Sequence, residues 1–158
     1  MDDATPLLNV EPGYRNVLRA RLAINWAILC VPAFILGRVF LSETPWAAAP
    51  PIAVAIVGGT VLIVAPSRIY RRLLYRLDYR LLQVMRGWLF HTDTIVPLVR
   101  VQHLDVVRGP FDKMFGTASL VVHTAGTLNS IVTLPGLAPD RATQIRDVIR
   151  EQVRSDLA

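Results

Sequence analysis

Leu22–Pro66 reads LAINWAILCVPAFILGRVFLSETPWAAAPPIAVAIVGGTVLIVAP. It contains two apolar runs. In Leu22–Leu41 the sole ionisable side chain is Arg38, and Trp46–Pro66 has no charge at all. A helix needs about 20 apolar residues to cross the hydrocarbon layer, and each run supplies that length, so both read as transmembrane spans. The linker Ser42–Pro45 is a tight turn, which forces an antiparallel helical hairpin. Small residues at Ala23/Ala27, Ala33/Gly37 and Ala55/Gly59 have the four-residue spacing that lets helix backbones approach. A cleaved signal peptide is the rival for the first run, but that run starts late, is long, and is followed at once by a second span.

Within the spans, Arg38 stands near a helix end, where it can snorkel to the interface. Pro32 is tolerated as a kink, and Pro50 and Pro51 fall close enough to the second start to be first-turn residues. Trp26 and Trp46 lie near span ends, where an indole ring suits the headgroup layer. Cys30, the single cysteine, lies within a span as an inert thiol and excludes a disulfide framework or a cysteine-rich metal site.

The composition agrees. Of 158 residues 53% are hydrophobic and 18% charged, more apolar material than one small core can hide from water. Arg15, Arg19 and Arg21 precede the first span and Arg68, Arg71, Arg72 and Arg76 follow the second, whereas the turn between them carries only Glu43. The positive-inside rule then places both termini of this multi-pass chain in the cytoplasm. This divides the sequence into a cytoplasmic segment (1–21), the hairpin (22–66, with spans 22–41 and 46–66) and a cytoplasmic domain (67–158).

From Ser67 the pattern changes to short alternating segments separated by turn residues, the signature of antiparallel strands. In Arg72–Leu81 the residues Leu73, Tyr75, Leu77, Tyr79 and Leu81 point one way and Arg72, Arg76, Asp78 and Arg80 the other. Ser67–Arg72 could instead continue the second helix. Further strands are expected at Leu82–Arg86, Leu89–Pro97, Val101–Arg108, Ala118–Thr124 and Leu128–Leu134. Gly87, Gly109-Pro110, Ala125-Gly126 and Pro135-Gly136 supply turns, and Phe111–Thr117 is a short helical or irregular connection. The chain closes with an amphipathic helix from Pro139 whose apolar stripe is Ala142, Ile145, Val148, Ile149 and Val153.

A bent antiparallel sheet capped by one C-terminal helix is the architecture of pleckstrin-homology-like folds, making the whole an α+β membrane protein. The segment IVPLVRVQHLDVVRGPFDKMFGTASLVVHTAG (Ile95–Gly126) resembles the bacterial pleckstrin-homology-like membrane proteins of the YdbS-like group. In that group the pattern VPLxRIQHVDVxQGPLxRxxGLATLxVHTAG follows two transmembrane helices. Pro97, Arg100, Gln102, His103, Asp105, Gly109, Pro110, Gly116, His123 and Gly126 stand at matching places, and Leu134–Leu137 matches the end of the family's sheet. Val107-Arg108 departs from the pattern. The resemblance implies a structural role for these motif residues and a function in envelope maintenance and stress resistance.

Catalytic signatures are absent. His91, His103 and His123 have no metal-ligand spacing, and no phosphate-binding glycine loop, nucleophile elbow or paired-carboxylate motif occurs, so neither cofactor, metal nor enzymatic activity is expected. Gln102-His103 and His123-Thr124 are expected to meet across neighbouring strands as a hydrogen-bonded pair that fixes register. Charge is the sharpest feature. Six arginines in Ser67–Arg86 against Asp78 give +5, the formal net charge of the whole chain. Arg68, Arg71, Arg72, Arg76 and Arg80 could grip an anionic headgroup or could serve only to set topology. A patch pinned this close to a bilayer leaves little room for nucleic acid. The expected function is a non-enzymatic adaptor or scaffold that presents its sheet or a free strand edge to a membrane-protein partner or a second copy; the alternative is a sensor of anionic lipid through the five arginines.

Overall fold

The computed structural model describes residues 6–40, 46, 48–88, 90–125 and 130–156. The expected linker Ser42–Pro45, the start of the Leu89–Pro97 strand, the Leu128 end of the last strand and Gly126 lie outside the described residues. By its contacts the chain divides into two compact units, Arg15–Ser67 and Met1–Tyr14 with Arg68–Ala158.

The first unit consists of two helices, α1 (Gly13–Phe40) and α2 (Ala49–Arg71), whose outermost turns belong to the second unit. Both run beyond the apolar spans. Arg15, Arg19 and Arg21 are helical residues of α1, and α2 continues past Pro66 through Ser67–Arg71. Pro50 and Pro51 fall in the first turn of α2, where a missing N–H is harmless. The most apolar 18-residue windows of the two helices are only 6% and 17% buried within the chain, unlike the mostly buried core helix of a water-soluble protein. Ile28, Val31, Phe34, Ile35, Leu36, Val39, Ile56 and Ile63 all face outward, an arrangement that lipid tolerates and water does not.

The helix contact differs in detail from the expected pairs of small residues. Gly58 is buried, and a Cβ there would lie 3.0 Å from the Trp26 ring, whereas one on Gly59 would meet nothing within 4 Å. Ala23, Ala27 and Ala55 are exposed, while Ala33 and Gly37 face inward. Trp26 is therefore not a free headgroup anchor; its ring covers the bare backbone of Gly58.

The second unit holds two antiparallel sheets. One has the order β1 (Leu8–Asn9), β2 (Leu74–Leu77), β3 (Leu81–Arg86), β4 (Thr92–Pro97). The other has the order β5 (Val101–Val107), β6 (Ala118–Thr124), β7 (Ile131–Leu137). A short helix, α3 (Pro110–Met114), joins β5 to β6, and α4 (Pro139–Asp156) follows β7. Inward-facing residues alternate along each strand, with Tyr75, Leu82, Val84, Val96, Leu120, Val122, Val132 and Leu134 forming the core. Ala142, Ile145 and Ile149 of α4 are fully buried with them, but Val148 is 46% exposed, so it leaves the expected stripe. It lies one residue before Ile149, about 100° away around the helix.

Leu8 and Asn9, within the expected N-terminal segment 1–21, pair with Tyr75 and Leu74. Two further expectations are corrected. Arg72–Leu81 is not one strand. The Asp78 N–H donates to the Leu81 carbonyl (2.9 Å) and the Asp78 carboxylate accepts the Tyr79 N–H (2.7 Å), folding a turn through Tyr79 and Arg80. Pro135-Gly136 is not a turn but an irregularity inside β7, where the register with β6 shifts between Ala118 and Leu120. Gly136 has φ +78°, a Cβ on it would stand 2.6 Å from Cγ of Tyr14, and its carbonyl accepts the Glu11 N–H at 2.7 Å.

Candidate functional site

The motif residues fall into two groups, and the first builds the β4–β5 and β5–β6 connections. Pro97 ends β4, and the next residue, Leu98, is buried and donates its N–H to the Arg80 carbonyl. Pro110 opens α3 with Gly109 as its N-cap. Asp112 is buried, and its carboxylate accepts the Gly109 N–H (3.0 Å) and the Thr117 hydroxyl (2.9 Å). Gly116 adopts φ +67° in the turn that ends the helix. These positions shape the chain around α3.

The second group lies on β5 and β6. His103 is paired with His123 across the two strands, with ring centroids 5.8 Å apart. They meet as expected, but through a third residue. Asp105, two residues along β5 and on the same face as His103, stands 3.0 Å from Nε2 of His103 and 3.4 Å from Nε2 of His123. The cluster is half exposed and forms no group that could hold a metal ion among the described residues. Gln102 sits at a bulge, where the register with β6 shifts between Val101 and His103. Such an extra residue bends a strand and re-aims side chains.

The five arginines are not gathered at one point. Arg68 and Arg71 occupy the last turns of α2, where positive charge suits the carbonyl end of the helix. Arg72 follows them and donates to the Trp88 carbonyl at 3.3 Å. Arg76 is opposite Gln83 on β2, with its Nε buried and without a hydrogen-bond partner. Arg80 lies beyond the other end of β2 and stacks on Tyr79, 5.1 Å from the ring centroid. Arg86, the sixth of the run, instead ties the two sheets together by donating to the Thr133 carbonyl at 2.9 Å.

A feature not anticipated from the sequence is a groove of about 510 Å³ between β5 and α4, lined by Val101–Leu104 and by Arg146, Arg150, Val153 and Arg154. The three arginines recur every fourth residue, one turn apart on one side of the helix. That periodicity was available in the sequence, but a charged helix face ordinarily means only solvent. On the other side of the groove the outer edge of β5 pairs with no strand among the described residues.

Two apolar helices, then antiparallel sheets closed by a C-terminal helix, is the arrangement that known sequences can now test. The bacterial PH domain family model matches residues 26–153. This chain belongs to that family. It is also 31% identical over 152 residues to the UPF0699 transmembrane protein YdbS of Bacillus subtilis (strain 168), with 94% of each chain covered. No solved structure matches. The family member described here is thus a transmembrane protein with a bacterial PH domain, a family not known for enzymes.

Proposed function

We propose that this protein is a non-enzymatic adaptor of the bacterial inner membrane, with both termini and the PH domain on the cytoplasmic side, which docks a membrane-protein partner or a second copy of itself along the β5 edge. The observation that carries the reading is that open edge beside the groove. The other edges are blunted, as sheet edges must be to avoid stray pairing. β1 has two residues, β4 carries Asp93 and Pro97, and β7 accepts the Glu11 N–H and the Arg86 guanidinium. β5 has seven residues and a bulge at the groove mouth. Confinement to a membrane raises the effective concentration of any partner, so a modest edge contact suffices.

The test is a photo-crosslinking amino acid placed at Gln102 of the full-length protein in its native membrane. A discrete light-dependent adduct is expected from Gln102 and none from Asp93. Equal adducts from both positions, or none from either, would overturn the reading.

A second reading, headgroup recognition by Arg68, Arg71, Arg72, Arg76 and Arg80, draws support from the arginines at the end of α2 and from the unpartnered Nε of Arg76. Flotation with anionic vesicles, comparing the wild type with the five-glutamine variant, tests it. An orientation control is needed, since the same arginines set topology.

A further inference from the structure

We infer that the β5–α4 groove takes an acidic, extended peptide segment, which adds as a strand to β5 and sets carboxylates against the arginines of α4. The inference rests on the adaptor reading and specifies what kind of partner is docked.

Three observations converge on one place. The β5 edge offers unpaired backbone groups of the kind that a strand from another chain completes. Arg150 and Arg154 line the groove, and neither has an ion-pair or hydrogen-bond partner among the described residues, whereas Arg146 is held by its neighbour Asp147 at 2.8 Å. Val101 and Leu104 of β5 and Val153 of α4 add apolar surface to the lining. An apolar strip with two free guanidinium groups on one wall and a strand edge on the other suits a chain that is both extended and negative. A basic partner, including a second copy presenting this same face, would meet like charge.

The spacing narrows the sequence. Successive arginines lie about 6 Å apart along α4, four residues at 1.5 Å each. Same-side residues of a strand lie about 6.8 Å apart. Acidic residues at alternate positions therefore match the arginine repeat, with uncharged residues between them pointing away.

The experiment uses the full-length protein in phosphatidylcholine nanodiscs and a fluorescein-labelled peptide of eight residues, with glutamate at every second position and threonine or valine between. Anisotropy is expected to report saturable binding, weakened about tenfold in the double variant R150Q/R154Q, since two exposed ion pairs are lost. Alternate backbone N-methylation of the same peptide, which keeps its charge and removes strand pairing, is expected to abolish binding. Binding unchanged in R150Q/R154Q, or equal binding of the N-methylated peptide, would overturn the inference, as would a variant defect seen only with nanodiscs of anionic lipid. If the wild type gives the Gln102 crosslink but fails to bind the peptide, the acidic-segment inference falls and the adaptor reading stands. If Gln102 gives no adduct in the wild type, the adaptor reading falls first.

Discussion

His103 and His123 face each other across β5 and β6, and both direct Nε2 at the one carboxylate of Asp105, at 3.0 and 3.4 Å. The three side chains are half exposed on the outer face of the sheet, so water competes for each contact. Asp105→Ala should therefore lower the stability of the full-length protein by less than about 1 kcal/mol, as measured by thermal unfolding in detergent micelles. A loss of several kcal/mol would mean that the cluster holds the sheet together.

Asp112 contrasts with it. Asp112 is 3% exposed and its carboxylate accepts the Gly109 N–H and the Thr117 hydroxyl, while the Thr117 N–H bonds the Asp112 carbonyl at 2.8 Å. Asp112→Ala strands both donors in a buried place and should cost about 2–3 kcal/mol. Asp112→Asn keeps one acceptor and the shape, so it should fall between the two. Equal melting of the alanine variant and the wild type would contradict this.

Gly136→Ala should be among the most damaging small substitutions in the chain. It forces a Cβ onto φ +78° and into the Tyr14 ring at 2.6 Å. Strain and overpacking together predict a loss of about 2–4 kcal/mol. Tyr14→Ala should not rescue it, because Cβ of Tyr14 itself is only 2.7 Å away. Rescue in the double variant would show that ring contact alone makes the glycine necessary.

How much of this was legible beforehand follows from what competes with each signal. The two spans could be read because a lipid environment demands a continuous apolar run of about 20 residues, and two such runs stand close together here. The helix ends could not, since Arg15–Arg21 and Ser67–Arg71 are sound helical sequence past the last apolar residue. The Asp78–Arg80 turn was hidden because the alternation of Leu77, Tyr79 and Leu81 continues through it. Only Asp78 hinted at a bend, and Tyr79 is 63% exposed. Pro135-Gly136 has turn chemistry but serves as a bulge, a distinction that depends on β6 and Tyr14 rather than on local residues. Gly109 and Gly116 were legible as motif positions, whereas a lone Asp112 reads as an ordinary surface carboxylate; the structure instead buries it and has it accept the Gly109 N–H and the Thr117 hydroxyl. The Arg146, Arg150 and Arg154 repeat was visible, but its meaning depends on β5 lying beside it, and helical periodicity cannot report that.

Within the hairpin, the two adjacent glycines should behave differently. Gly58→Val places branched carbons against the Trp26 ring, already 3.0 Å from where a Cβ would stand, whereas Gly59→Val points into open space. The first should lower the melting temperature and raise protease sensitivity in micelles, and the second should change either little. Equal effects would mean that neither position sets the helix approach.

Orientation gives the last prediction. The arginines before α1's apolar stretch and at the end of α2 outnumber anything near the 41–48 connection, whose single charged residue is Glu43. Charge asymmetry of this kind is the pattern expected of a two-helix hairpin with both ends inside. With Cys30 replaced by serine, a cysteine introduced at Ala48 should react with an impermeant maleimide on intact cells, and one at Ser155 only after the membrane is opened. Because the windows in α1 and α2 are 6% and 17% buried, the protein should also stay in the pellet after an alkaline carbonate wash. The opposite labelling pattern would place the β5 edge and the arginine groove outside the cytoplasm, and a cytoplasmic adaptor would then be untenable even with the fold unchanged.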